Sequence, residues 1–176
     1  YRRLSGCLLG LLAAVLLLTG CGLQSVSPQA PETPPAEVAL QSGIAALTSG
    51  AYGQAIHEFT QVIALTPERV EAYTNRGEAY RRQGDYDRAL ADYATALTIN
   101  PNYAPAYYNR GVLHSSRDAY DQAIADYTQA LSLNPHLSEA YISRGIAYDR
   151  GKRAYDQAIA DYNQALGLDP QRADAY

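Results

Sequence analysis

The chain has 176 residues, 14 of them Lys or Arg and 18 Asp or Glu, for a net charge of −4. A mildly acidic chain without a basic run lacks the clustered cations that phosphate backbones require, so nucleic acid is not expected as a partner, nor anionic lipid through a polybasic patch. The two cysteines, Cys7 and Cys21, lie near the start, which leaves the rest of the chain without a disulfide or a thiolate metal site.

The chain opens "YRRLSGCLLGLLAAVLLLTGC". Arg2 and Arg3 form a basic start, and Leu8 to Leu18 is an almost unbroken apolar run. A mature membrane span needs about 20 apolar residues, so this shorter run reads as the core of a removed signal peptide over residues 1–20. Leu18-Thr19-Gly20-Cys21 resembles the bacterial lipobox. That resemblance implies cleavage before Cys21 and a covalent lipid on it, with membrane attachment through that lipid alone. Gly22 in place of Asp fits outer-membrane sorting under the enterobacterial rule, which implies a lipid-anchored protein of the bacterial envelope facing the periplasm. Removing residues 1–20 takes away Arg2 and Arg3 and no acid, leaving 12 basic against 18 acidic residues.

Residues 21–35 carry Pro28, Pro31, Pro34 and Pro35 among Ser, Gln and Thr. Such a segment builds no packed core and reads as an extended tether of roughly 3 Å per residue between anchor and domain.

From residue 36 a period takes over. "YDQAIADYTQAL" at Tyr120 to Leu131 returns at Tyr155 to Leu166 with only Thr128 exchanged for Asn163. Looser copies are "YDRALADYATAL" from Tyr86 and "YGQAIHEFTQVI" from Tyr52. Gly43, Gly77, Gly111 and Gly145 recur at a spacing of 34, as do Ala55, Ala89 and Ala123, with Ala158 one residue late. Pro67, Pro101 and Pro135 follow the same step, and Pro170 is again one late. The slip lies in "DRGKRAYDQ" and is expected to lengthen a turn, the change that an array tolerates best. Within a unit, Tyr86, Ala89, Leu90, Tyr93, Ala96 and Leu97 form one helical stripe. Gly84-Asp85 supplies a breaker and an N-capping carboxylate, and Asn100-Pro101 a stop. Each unit is therefore helix, tight turn, helix and proline-marked turn. Small residues such as Gly77 with Ala89, or Gly111 with Ala123, are expected to let the two helices approach, with tyrosine filling the gap beside them.

A 34-residue step with Gly at position 8, Ala at 20, an aromatic at 24 and Pro at 32 resembles the tetratricopeptide repeat. Four units fit, over residues 36–69, 70–103, 104–137 and 138–172, and residues 173–176 resemble the start of a fifth that is cut short. A chain without methionine that starts at Tyr1 is likewise read as lacking its true start. The first unit departs from the pattern, with Ala39 and Ala46 in place of two aromatics, as expected of a terminal cap. The resemblance implies an all-α solenoid, a right-handed superhelix whose concave face is lined by the first helix of each unit. The groove positions it implies are Thr74, Asn75 and Glu78, then Tyr108, Asn109 and Val112, then Ile142, Ser143 and Ile146. Asn75 and Asn109 are suited to hydrogen-bond a peptide backbone, since an amide both donates and accepts. The apolar members suit a helix laid in a groove. Relatives that grip a C-terminal carboxylate use lysines at matched positions, and positions 5 and 9 of these units hold none. Arg76, Arg110 and Arg144 recur too regularly for a private ligand site and are expected to cover the seam between repeats.

No catalytic constellation emerges. His57, His114 and His136 are scattered, and no H-E-x-x-H pair, glycine-rich phosphate loop or G-x-S-x-G occurs. "DYDRALADY" falls short of a calcium loop, because Leu90 and Ala96 stand where glycine and glutamate are needed. Asp92, Asp126 and Asp161 recur once per unit and are expected on the solvent side of the second helix. The sequence therefore predicts a non-enzymatic, membrane-anchored scaffold without cofactor or metal, binding a protein or peptide in envelope assembly. The alternatives are a recruiting arm of a longer enzyme and an array that associates with itself.

Overall fold

The computed structural model describes residues 34–170; the signal peptide, Cys21, most of the tether and residues 171–176 lie outside them. The described residues form eight helices in four hairpins and no strand: α1 Pro35–Thr48, α2 Tyr52–Leu65, α3 Val70–Gln83, α4 Tyr86–Ile99, α5 Ala104–Ser116, α6 Tyr120–Leu133, α7 Ser138–Ala147 and α8 Tyr155–Leu168. Pro35, assigned to the tether by its composition, instead opens α1, where its missing N–H costs nothing and its fixed φ suits the first turn.

Each hairpin closes on one packing relationship. A Cβ added at Gly43, Gly77, Gly111 or Gly145 would lie 2.6–2.7 Å from a ring carbon of Phe59, Tyr93, Tyr127 or Tyr162 respectively. The glycine makes room for an aromatic face more than for the alanine foreseen from the sequence, although the Ala89 carbonyl also comes within 3.2 Å of that position at Gly77. Ala55, Ala89, Ala123 and Ala158 are all buried, and Phe59, Tyr93 and Tyr127 are the largest closed-off side chains.

The tight turns reuse one conformation. Gly50, Gly84, Asp118 and Arg153 stand at the same place in successive repeats, and each has a positive φ, of 81°, 88°, 58° and 49°. Asp85 caps α4, its carboxylate accepting from the Arg88 N–H at 3.3 Å. In the turns marked by Pro101 and Pro135, the side-chain oxygens of Asn100 and Asn134 accept from the N–H groups two residues on, at 2.9 and 3.1 Å. Pro67 and Pro170 lie in the corresponding exposed turns.

The extra residue of the fourth repeat does not lengthen a loop, as the sequence suggested. It is wound into a π-helical turn, Tyr148–Lys152, that continues α7. One additional residue inside a helix widens it to this form without breaking its hydrogen-bond ladder. The widened turn seats Gly151 on Tyr120 of the preceding repeat.

Odd-numbered helices approach one another, α1 with α3, α3 with α5 and α5 with α7, whereas no two even-numbered helices come near. The odd helices therefore form the inside of the array's curvature.

Candidate partner-binding face

The inner face is built from the first helix of each repeat, and the nine residues implied by the repeat frame divide into three groups. Thr74 is not on an open surface: it is 2% exposed, and its hydroxyl donates to the Val70 carbonyl at 2.9 Å. Its short side chain turns back on its own helix, which corrects its assignment to the groove.

Glu78 is half-buried but already engaged. Both its oxygens accept from Arg81 at 2.7 Å, and Oε1 also accepts from Arg82 at 2.7 Å. Burial pushes its carboxyl upward, but the hydrogen bonds from Arg81 and Arg82 outweigh it and hold the group below its ordinary value. Tyr93 donates to Glu78 at 3.4 Å, and burial raises that phenol well above its usual range.

The remaining seven are half-buried: Asn75, Tyr108, Asn109, Val112, Ile142, Ser143 and Ile146. Tyr108 and Val112 pack against the cluster of Ala123, Tyr127 and Ala147, with the Tyr108 and Tyr127 ring centroids 5.9 Å apart. Burial raises the Tyr127 phenol above its ordinary range, and the neighbouring Ser115 and Ser143 hydroxyls oppose that shift. The amides of Asn75 and Asn109 make no hydrogen bond with another described residue, and no buried side-chain polar atom among the described residues lacks a partner. Both amides therefore keep their donors and acceptors toward solvent on one side of the array. Around them lies an apolar strip from Tyr108 and Val112 to Ile142 and Ile146.

The three aspartates of the second helices are the clearest departure from expectation. Asp92, Asp126 and Asp161 are buried, each only 5–6% exposed, and not solvated. Each takes a two-pronged pair from the position-7 arginine of its own repeat: Arg76 to Asp92 at 2.8 Å twice, Arg110 to Asp126 at 2.9 and 2.7 Å, and Arg144 to Asp161 at 2.8 and 2.7 Å. Each guanidinium also lies over the position-4 ring, at 5.7 Å for Tyr73, 5.5 Å for Tyr107 and 5.7 Å for Tyr141. The paired carboxylates hold all three arginines above their ordinary values. Two of them also cross the seam, Arg76 Nη1 donating to Thr60 at 3.1 Å and Arg144 Nη1 to Thr128 at 3.0 Å.

The sequence carried a signal for this module. Arginine and aspartate stand 16 apart in two repeats and 17 in the one with the slip, and the first repeat lacks all three members, with Ala39, Ser42 and Glu58 in their places. A trio that appears and vanishes together is a trio in contact.

Among the described residues, no group of three His, Cys, Asp or Glu is placed to hold a metal ion, and no helix is long and apolar enough to cross a membrane.

Comparison with known proteins places this architecture. Tetratricopeptide-repeat family descriptions match residues 40–104, 104–137 and 138–172. Together they cover most of the chain, which belongs to the tetratricopeptide-repeat family. Among solved structures, a thermophilic TPR protein of Thermus thermophilus is 27% identical with a TM-score of 0.71, over 81% of this chain and 77% of that one. A crystal structure of MamA is 29% identical with a TM-score of 0.68, over 79% and 81%. The Arabidopsis OM64 TPR domain is 27% identical with a TM-score of 0.63, over 66% of this chain and 96% of that one. No curated protein matches the chain.

Proposed function

We propose that this chain is a membrane-anchored, non-enzymatic scaffold that holds a partner polypeptide along its inner face. The tetratricopeptide fold is that of a protein-interaction module, and the observation carrying the finer reading is the unoccupied hydrogen-bonding capacity of Asn75 and Asn109. The two amides recur one repeat apart, free of partners within the array and beside the half-exposed Tyr108, Val112, Ile142 and Ile146. Side-chain amides in register satisfy an extended or helical backbone with little regard to its sequence, and the apolar strip supplies the anchor. The lipobox-like Leu18 to Cys21 and the proline-rich stretch behind it support a lipid on Cys21 and a tether. The scaffold then sits at the envelope, facing the periplasm of an outer membrane, in the service of envelope assembly.

The test is photo-crosslinking in intact cells from Asn109 and Ile142, with Thr95 and Gln129 on the outer helices as controls. Capture of one partner from the first pair and none from the second is the expected outcome. Equal capture from both faces overturns the inner-face reading. Loss of membrane association in Cys21→Ser is expected alongside, and retention would overturn the anchor.

A further inference from the structure

Three seams join the four repeats, and they are not built alike. The first carries the Arg76 to Thr60 hydrogen bond and a second from Arg69 to Glu37 at 3.0 Å. The third carries Arg144 to Thr128 and the ion pair of Lys152 with Asp121. At the second seam, between α4 and α5, no side-chain hydrogen bond crosses among the described residues. Arg110 makes its pair with Asp126 but finds Ala94 where its counterparts find Thr60 and Thr128. What crosses is Arg117, which reaches Asp87 at 4.0 Å, the two side chains being 51% and 97% exposed, and lies over the Tyr86 ring at 6.0 Å.

The side chains at this seam differ as well. Leu113, fully buried against Ala89 and Tyr93 of the preceding repeat, stands where the other seams have Ala79 and Ala147. His114 stands where the neighbouring repeats have Tyr80 and Tyr148. Tyr86, at the same seam, is 40% exposed, whereas its counterparts Tyr52 and Tyr120 are half-buried, Tyr120 beneath Gly151.

We propose that the seam between the second and third repeats is the hinge of the array, where its halves turn about buried Leu113. Hinges are placed where few bonded groups must move together, and among the described residues this seam alone has no hydrogen-bonded arginine bridge. Turning here changes the separation of Asn75 from Asn109, which lie on opposite sides, while leaving Asn109 and Ile142 on one rigid half.

Spin labels at one equivalent exposed site per repeat test it: Gln61, Thr95, Gln129 and Gln164, in the full chain with Cys7 and Cys21 changed to serine. Pulsed dipolar distances are measured for the three neighbouring pairs. The Thr95/Gln129 pair is expected to give a broader distribution than Gln61/Thr95 or Gln129/Gln164. Ala94→Thr with His114→Tyr, which restores the arginine-bridging threonine and the tyrosine of the other seams, is expected to narrow it. Equal widths in all three wild-type pairs overturn the hinge, and that comparison needs no altered seam. A broad Thr95/Gln129 distribution left unchanged by the double substitution also overturns it, because the breadth would not arise from the missing contacts.

Discussion

Arg110 and Asp126 meet in a two-pronged ion pair at 2.9 and 2.7 Å, joining the two helices of the third repeat, with the Asp126 side chain only 8% exposed. A pair this enclosed gains little over a well-packed apolar pair, but losing one member strands the other. Asp126→Ala is expected to destabilise the protein by about 3 kcal/mol, and Arg110→Met with Asp126→Leu to recover most of that loss. Asp121→Ala on the same helix, with its side chain 77% exposed, should cost under about 1 kcal/mol. Urea denaturation of the four proteins measures all of this; an Asp126→Ala cost no larger than that of Asp121→Ala would mean the pair is effectively solvated.

Gly111 and Gly53 predict opposite signs for one substitution. A Cβ at Gly111 would lie 2.7 Å from the Tyr127 ring, which is 1% exposed and has nowhere to move, whereas a Cβ at Gly53 meets nothing within 4 Å. Gly111→Ala is expected to cost about 1–3 kcal/mol by overpacking. Gly53→Ala, in the first turn of α2, is expected to be neutral or to gain up to about 1 kcal/mol from helix propensity. Thermal melts followed by circular dichroism separate the two; a gain at both sites would show that the hairpin has slack beside Tyr127.

The 34-residue step, the small residues that recur with it and the Asp85 cap were all legible because each is a local or periodic property of the chain. Burial of Asp92, Asp126 and Asp161 was not. A charge repeated on a helix reads as solvated until its partner is sought in the other helix of the hairpin, 16 residues away. Thr74 misled for a related reason: the repeat frame fixes which way a residue points, but a short hydroxyl can fold back onto its own backbone. The π turn was hidden because an insertion looks the same in sequence whether a loop or a helix absorbs it.

The shared turn position gives a third prediction. Gly50 and Gly84 occupy the left-handed region at no steric cost, but Asp118 and Arg153 must hold φ near 58° and 49°. Asp118 has a local compensation, its carboxylate accepting from the Tyr120 hydroxyl at 2.6 Å. Arg153 has no hydrogen bond or ion pair from its side chain among the described residues. The left-handed conformation costs an ordinary residue about 1–2 kcal/mol, partly offset by the extra freedom of glycine in the unfolded chain. Arg153→Gly should therefore stabilise the fourth repeat by about 0.5 kcal/mol, and Gly84→Ala, with open space around its Cβ, should destabilise by about 1 kcal/mol through strain alone. Chemical denaturation decides it, and a loss on Arg153→Gly would contradict the strain argument.

His114 makes the array less stable as the pH falls below neutrality. Its Nε2 lies 3.7 Å from Asp126 Oδ2, with the side chain 18% exposed. Burial lowers its pKa below the ordinary 6.5; Asp126 opposes the shift, and Arg110 and Arg117 reinforce it. Asp126 is too weak a counter-charge to win because Arg110 already neutralises it. On α4 the side chain facing the imidazole is apolar Leu90, and on α6 Gln122 is uncharged, so neither offsets the burial. The folded state thus binds a proton less readily than the unfolded chain. The stability this contributes is fully present above pH 6.5 and is lost as the pH falls through the depressed folded value. His114→Tyr, which repeats the residue found at Tyr80 and Tyr148, should remove that part of the acid sensitivity. Glu78, also held below its ordinary value, continues to lose its contribution at lower pH in both proteins. The check is the difference in unfolding free energy between wild type and His114→Tyr from pH 8 down to pH 5. A difference that shifts toward the variant as the pH falls is the expected result; one that stays flat would mean that His114 titrates alike in the folded and unfolded chains.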